Sequence, residues 1–327
     1  MVPLSLLDLA PIAREGSACE ALDGCVAYAQ AAERLGFERV WYAEHHNMPR
    51  IASSATAVLI AHVAAHTERI RLGAGGVMLP NHAPLVIAEQ FGTLAELHPG
   101  RIELGLGRAP GTDQHTLRAL RRDHTAADAF PQDVLELQGY LRGEPKVPGV
   151  RAIPGHGTDV PLFVLGSSLF GAQLAAALGL PYAFASHFAP AALTAAVAAY
   201  RDGFRPSAQL EAPQVIAGVN VVVGDTEAEA REQLERRRRD LAKGIFGRPG
   251  RRLNDDEVEA LLASPQGAAV DQMLTYTALG TPDAVAGYLE RFRDHAGADE
   301  LIAVVHAEDA GARVRSLERL AGAVALA

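Results

Sequence analysis

Apolar positions along the chain switch repeatedly between two periods. Short runs rich in Leu, Val and Ile give way to Ala-rich stretches with apolar residues three and four apart, the mark of strand followed by helix. Pro3 to Leu9 predicts a first strand, and Ala18 to Leu35 a helix that Gly36 ends. The same alternation predicts a strand over Arg39–Ala43, a helix over Ala55–Thr67, a strand over Ile70–Met78 and a helix over Pro84–Leu97. The pair Pro99-Gly100 then turns the chain into a strand over Arg101–Gly107. Residues 113–159 break the rhythm with a charged helical stretch and a Gly/Pro-rich loop. It resumes with strands at Leu162–Leu165, Tyr182–Ser186 and Val215–Val223, separated by helices at Leu169–Leu178 and Ala191–Tyr200. A charged helix over Thr226–Leu241 leads into a second irregular stretch at 243–279, and Pro282–His295, Glu300–His306 and Ala310–Ala323 close the series.

Eight candidate strands alternating with helices predict a parallel sheet. Over 327 residues with two insertions, one after the fourth strand and one between the seventh and eighth, a closed (β/α)₈ TIM barrel is favoured over an open sheet. The whole chain, 1–327, is expected to form one barrel domain. With 49% hydrophobic and 21% charged residues, it can bury a large core. Lys plus Arg total 30 against 39 Asp plus Glu, a net charge of −9 that makes nucleic acid and anionic membrane poor partners. Residues 162–200 carry no charged side chain, but Gly166, Gly171, Gly179, Pro181 and Pro190 interrupt them well short of the ~20 residues a membrane helix needs. The N-terminus lacks the basic start of a secretory signal, so the cytoplasm is the expected location. Cys19 and Cys25 sit six apart, off a shared helical face, and are expected to be buried or half-buried thiols without a disulfide.

In such a barrel the active site is built where the strands end, and polar groups recur there. Glu44-His45-His46-Asn47 follows the second strand, and adjacent residues alternate sides, so at most one histidine points into the mouth. These are either a general base near a redox centre or polar loop residues capping the next helix. His62 and His66 lack the adjacent glutamate of a zinc-protease motif and are expected to be packing or surface residues, and no metal site is expected. The segment Gly105-Leu-Gly107-Arg108-Ala-Pro110-Gly111 misses the dinucleotide fingerprint, so a nicotinamide site is not expected, though Arg108 suits a phosphate. Gly166-Ser167-Ser168 runs straight into a helix and reads equally as a phosphate cup or an ordinary N-cap. Adjacent Gly75 and Gly76 within a strand predict a bulge, or a backbone that a flat ring system approaches closely. The run Arg236–Arg239 is flanked by Glu232, Glu235 and Asp240 and predicts a solvated face.

Together these blocks resemble the luciferase-like flavin-dependent monooxygenases over nearly the whole chain. The resemblance is carried by Trp41-Tyr-Ala-Glu44-His45-His46, by Gly73 to His82, by Pro99 to Gly111, by Gly166-Ser-Ser168 and Gly179-Leu-Pro181, and by Gly280-Thr-Pro282. It implies a (β/α)₈ barrel, usually dimeric, binding reduced FMN (FMNH₂) at the C-terminal ends of the strands. His45 matches the histidine near the flavin C4a position, with His46 or Glu44 orienting it. Arg108 and Ser168 match phosphate-binding positions, and Gly75-Gly76 the backbone against the isoalloxazine, often a cis peptide. The family's reactive cysteine falls at Gly107, and an acidic residue is replaced by Ser167, so light emission and an aldehyde substrate are not carried over. The implied reaction is two-component monooxygenation of a small organic molecule, with a separate flavin reductase as partner. The same barrel also suits hydride transfer with the deazaflavin F420, or flavin binding without catalysis.

Overall fold

A computed structural model describes residues 3–247, 251 and 253–324. The chain runs β1 (Leu4–Asp8), α1 (Ala18–Leu35), β2 (Arg39–Tyr42), α2 (Thr56–Ala64), β3 (Arg71–Met78), α3 (Pro84–Leu97) and β4 (Ile102–Gly107). The first insertion holds α4 (Gln114–Ala119) and α5 (Phe130–Arg142). Then come β5 (Leu162–Gly166), α6 (Leu169–Leu178), β6 (Tyr182–Phe184), α7 (Leu193–Gly203) and β7 (Val215–Val223). The second insertion carries α8 (Glu227–Phe246), α9 (Asp255–Leu262), α10 (Gly267–Met273) and β8 (Thr277–Gly280), before α11 (Pro282–Ala296), β9 (Glu300–Val305) and α12 (Ala310–Ala323). Local signals set the ends. Ser17 and Glu20 form a capping box at the start of α1, and Gly36 stops that helix at φ 86°.

All pairings between these strands are parallel, and β6–β7, β7–β9 and β9–β1 close the ring β1-β2-β3-β4-β5-β6-β7-β9. These eight are the strands expected from the hydrophobic pattern. The ninth, β8, was not expected and lies outside the ring. It pairs with β7 from Asn220 to Val223, beyond the point where β6 stops pairing at Ala217. The stretch 243–279 is therefore not irregular but two short helices and a strand, within which residues 248–250 and 252 lie outside the described residues. Among the described residues no helix is long and apolar enough to cross a membrane.

Strand alternation sorts side chains into two cores. Leu4, Leu6, Val40, Tyr42, Leu72 and Leu104 face the helices, while Leu7, Trp41, Phe163, Ala183, Ile216, Ile302 and Val304 fill the barrel. At its N-terminal end the barrel holds buried charge. Arg39, 2% exposed, places Nη1 2.8 Å from both Glu103 oxygens and Nη2 2.9 Å from Glu300, while Trp41 Nε1 donates to Glu103 at 2.8 Å. Burial raises the Glu300 carboxyl above its usual range against the pull of Arg39. This charge lies at the strand starts, the end of such a barrel that serves stability rather than chemistry. A depression of about 500 Å³ lined by Glu33, Glu38 and Arg71 opens at that same end, away from the strand C-termini. Of the two cysteines, Cys25 is buried as expected, but Cys19 is exposed, and both thiols are free.

Candidate active site at the barrel mouth

Three strand ends are fastened by one carboxylate. Glu44, just past β2 and 1% exposed, turns away from the barrel axis towards β3. It accepts from His46 Nε2 at 2.8 Å, His82 Nε2 at 2.9 Å and the Met78 amide at 3.1 Å. Asn81 Nδ2 reaches it at 3.4 Å and also donates to the Pro110 carbonyl at 2.9 Å, which ties in the loop after β4. Burial pushes the Glu44 carboxyl up, but the bonds and charge from His82, with those of His46 and the Met78 N–H, hold it below its ordinary value. Glu44, His46 and His82 are the group whose ligand atoms lie within 4.8 Å of one another among the described residues. Both imidazoles, however, already spend Nε2 on the carboxylate.

The expected orienting role of Glu44 or His46 towards His45 is therefore not what the geometry shows. Those two residues serve each other and His82, because alternation along the chain sends 44 and 46 to one side and 45 to the other. His45 continues the inward series of Arg39, Trp41 and Ala43. Its Nδ1 is buried with no hydrogen-bond partner, and burial lowers its pKa ahead of the opposing effects of the Gly111 carbonyl and Glu44.

Across the mouth lies a second group that the sequence did not single out as catalytic. Asn220, inward on β7 and 3% exposed, donates to the His187 carbonyl at 2.6 Å, and its Oδ1 lies 2.7 Å from His306 Nε2. His187 follows β6, and its ring rests on Gly218 of β7, where a Cβ would come within 2.4 Å of Nδ1. That Nδ1 also lacks a partner. Burial, with the charge of Arg237 and the ring of His45, lowers the His187 pKa to about 4, and His306 is driven well below its ordinary value, by burial first. Both rings are neutral at neutral pH. A parity argument could have found them, since Gly218, Asn220 and His306 all occupy inward positions at strand C-termini.

The glycines of β3 are packed from within the chain. Register between β3 and β4 shifts between Ala74 and Val77, as adjacent glycines predict, and the Gly75–Gly76 peptide is cis. Yet the flat ring lying against Gly73 is the chain's own Trp41, whose indole atoms lie 2.8 and 2.9 Å from where a Cβ would sit. A Cβ on Gly75 would meet Leu7 and Trp41 at 2.8 Å, and one on Gly76 would meet the Gly105 carbonyl at 2.7 Å. Gly107 is packed by Met78, whose sulfur would lie 2.8 Å from a Cβ there.

Gly166 ends β5, and Ser167 and Ser168 lead into α6. Ser168 occupies the N-cap with an extended backbone but makes no side-chain capping bond, which leaves the first amides of α6 and the hydroxyl available to a ligand. The guanidinium of Arg108 stacks over Phe170 in the first turn of that helix, 4.1 Å from the ring centroid. Arg108 and the uncapped helix end therefore sit together. His62 and His66, by contrast, are exposed on the outside of the barrel.

Comparison with known proteins places the barrel in a family. The family description "Luciferase-like monooxygenase" matches residues 3–300. The chain is 45% identical over 319 residues to a luciferase-like monooxygenase of Escherichia coli K12, covering 97% of this chain and 95% of that one. It is 44% identical over 320 residues to the Bacillus subtilis protein YvbT, again covering 97% and 95%. Among solved structures, apo-MsnO8 superimposes with a TM-score of 0.86 at 34% identity, covering 100% of this chain and 99% of that one. Two more distant barrels share the fold: the oxygenating constituent of 3,6-diketocamphane monooxygenase of Pseudomonas putida with FMN (TM-score 0.73, 18% identity, 99% and 98% covered), and an F420-dependent secondary alcohol dehydrogenase (0.71, 17%, 99% and 99%). With one family spanning residues 3–300 and relatives near 45% identical along almost their full length, the chain belongs to the luciferase-like monooxygenases.

Proposed function

We propose that this chain is the oxygenase of a two-component system, taking FMNH₂ from a separate flavin reductase and acting as a homodimer on a small organic substrate. One atom of O₂ enters the substrate and the other leaves as water, with the two electrons supplied by the reduced flavin. The observation that carries the reading is the uncapped N-terminus of α6 with Arg108 beside it. A phosphate monoester there would receive helix amides, the Ser167 and Ser168 hydroxyls and a guanidinium fork, which is strong anion chemistry. The Gly75–Gly76 backbone would take the flat ring system. His45 points inward at the mouth as a neutral imidazole whose buried Nδ1 has no partner, able to hold or pass a proton there, and the two insertions would cover the mouth and exclude water.

Anaerobic titration with FMNH₂, followed by mixing with oxygen in a stopped-flow absorbance instrument, tests this. Stoichiometric binding and slower flavin oxidation than in free solution are expected, and R108M should weaken binding by roughly the tenfold or more of a lost charge-assisted bond. Oxidation at the rate of free FMNH₂ would count against the proposal. The second reading, hydride transfer with F420, draws on the dehydrogenase sharing the fold. It predicts anaerobic turnover with F420 and none with FMNH₂.

A further inference from the structure

The run Arg236–Arg239 on α8 does not behave as one solvated face. Arg236 pairs with Glu232 and Glu308 at 2.7 Å, Arg238 with Asp271 at 2.6 Å and Arg239 with Glu259 at 2.6 Å. Arg237 is the exception. Its side chain is half-buried, its Nε is sealed from solvent without a partner, and it makes no hydrogen bond or ion pair with any described residue. Asp240, three residues on, influences it but does not pair with it. A donor such as this Nε, kept from water without a partner, is costly to fold around. Residues that break a folding rule without local compensation are found where function requires them.

Its position says what the charge is for. Arg236, the residue before it, is bonded to Glu308 just past β9, and α8 packs against β7, which sets Arg237 beside the ends of β7 and β9, where its charge also acts on His187 and His306. In the ring order β9 lies four strands from β4, directly across the mouth from Arg108 and near-opposite the α6 end that suits a phosphate. The α6 end that suits a phosphate and Arg237 thus stand apart around the ring, with β6 between β5 and β7. The groups beside Arg237 are neutral imidazoles, so the site carries one positive charge with added donors and acceptors, which balances a monoanion rather than a phosphate dianion.

We propose that Arg237 anchors a carboxylate on the organic substrate, fixing it at the β7–β9 side of the mouth so that its far end reaches the space between Gly75–Gly76 and His45. A guanidinium fork receives a carboxylate through two parallel bonds, which sets orientation as well as affinity. The word substrate rests on the oxygenase reading above; the anion site itself does not.

The test reads thermal unfolding without flavin, using sodium benzoate and sodium butyrate as probes and inorganic phosphate as the contrast, all at ionic strength matched with sodium chloride. In the wild type a carboxylate at about ten times its Kd should raise the midpoint by about 2 °C or more. R237M should start at or above the wild-type midpoint, since an unpaired charge is removed, and should show no carboxylate shift. R237K, which keeps the charge but loses the fork, should show a reduced one. R108M should keep the carboxylate shift and lose any shift caused by phosphate. The proposal is overturned if the wild type does not respond, if the shift survives in R237M or vanishes in R108M, or if R237M starts well below the wild type. FMNH₂ titration of the wild type is scored separately, and its failure counts against the oxygenase reading alone.

Discussion

Replacing Glu44 by glutamine tests whether one buried carboxylate holds three strand ends in register. The carboxylate accepts from two imidazoles, the Met78 amide and, more weakly, Asn81. In Glu44→Gln one oxygen becomes an amide donor. If the remaining oxygen keeps the Met78 N–H, the NH₂ faces His46 and His82, and each ring must move its proton to Nδ1 to accept. Three charge-assisted bonds, each worth ~1.5–3 kcal/mol, then become neutral ones worth ~0.5–1.5. Relief from burying a charge offsets part of that loss, which leaves a net destabilisation of roughly 2 kcal/mol. Glu44→Ala leaves the Met78 amide and both rings without an acceptor and opens a cavity, for roughly 4 kcal/mol.

Urea unfolding of the three proteins, followed by far-UV circular dichroism, measures the differences. The pH dependence supplies a second readout with a definite sign. The folded Glu44 pKa is lowered from 4.5, so its contribution is whole above pH 4.5 and is lost as the pH falls through the lowered value. The gap between wild type and Glu44→Gln should therefore be flat near neutrality and shrink in acid. A Glu44→Gln protein within ~0.5 kcal/mol of wild type, or a Glu44→Ala protein no worse than Glu44→Gln, would refute the view that this carboxylate fastens the mouth.

Other perturbations probe separate contacts. Gly218→Ala places a Cβ 2.4 Å from His187 Nδ1 and should cost ~1–3 kcal/mol by displacing the ring, seen as a lower urea midpoint; an unchanged midpoint would mean the imidazole has room to swing away. His187, with a folded pKa lowered to about 4, resists a proton that the unfolded chain takes up near 6.5, so stability should decline from pH 6.5 to 4 by up to ~1.4 kcal/mol per unit. His187→Asn should flatten that slope in a urea series across pH, and an unaltered slope would assign the effect elsewhere. Gly92→Ala drives a Cβ to 2.1 Å from Gly155 Cα, backbone against backbone, and should cost more than ~3 kcal/mol or prevent soluble expression. Gly244→Ala on α8, with nothing within 4 Å, should instead gain ~0.5–1 kcal/mol, and equal midpoints for these two variants would remove the steric argument.

The uneven legibility of the site follows from where its information is stored. Each ring strand is a run of residues buried on both faces, and its apolar signal is local, so the eight-strand barrel could be read from the pattern alone. Four-residue β8 carries too little of that signal, and it forms because long β7 outlasts β6 and leaves backbone groups to pair. The residues after the strands were visible as candidates, but their partners were not. Glu44 and His46 look like helpers of the adjacent His45, whereas they serve His82, which is distant in sequence and brought close by β3. The β3 glycines announce a flat ring, yet the ring against Gly73 is Trp41 of the neighbouring strand. Arg237 is hidden most completely, because a basic run on a charged helix has the composition of a solvated face. Its identity as the unpaired one depends on a single helical angle relative to β7, β9 and three salt-bridged neighbours, a relation that exists only once α8 has docked. Composition therefore names the residues that could do chemistry, while assignment among them requires knowing which polar atoms the fold has left without partners.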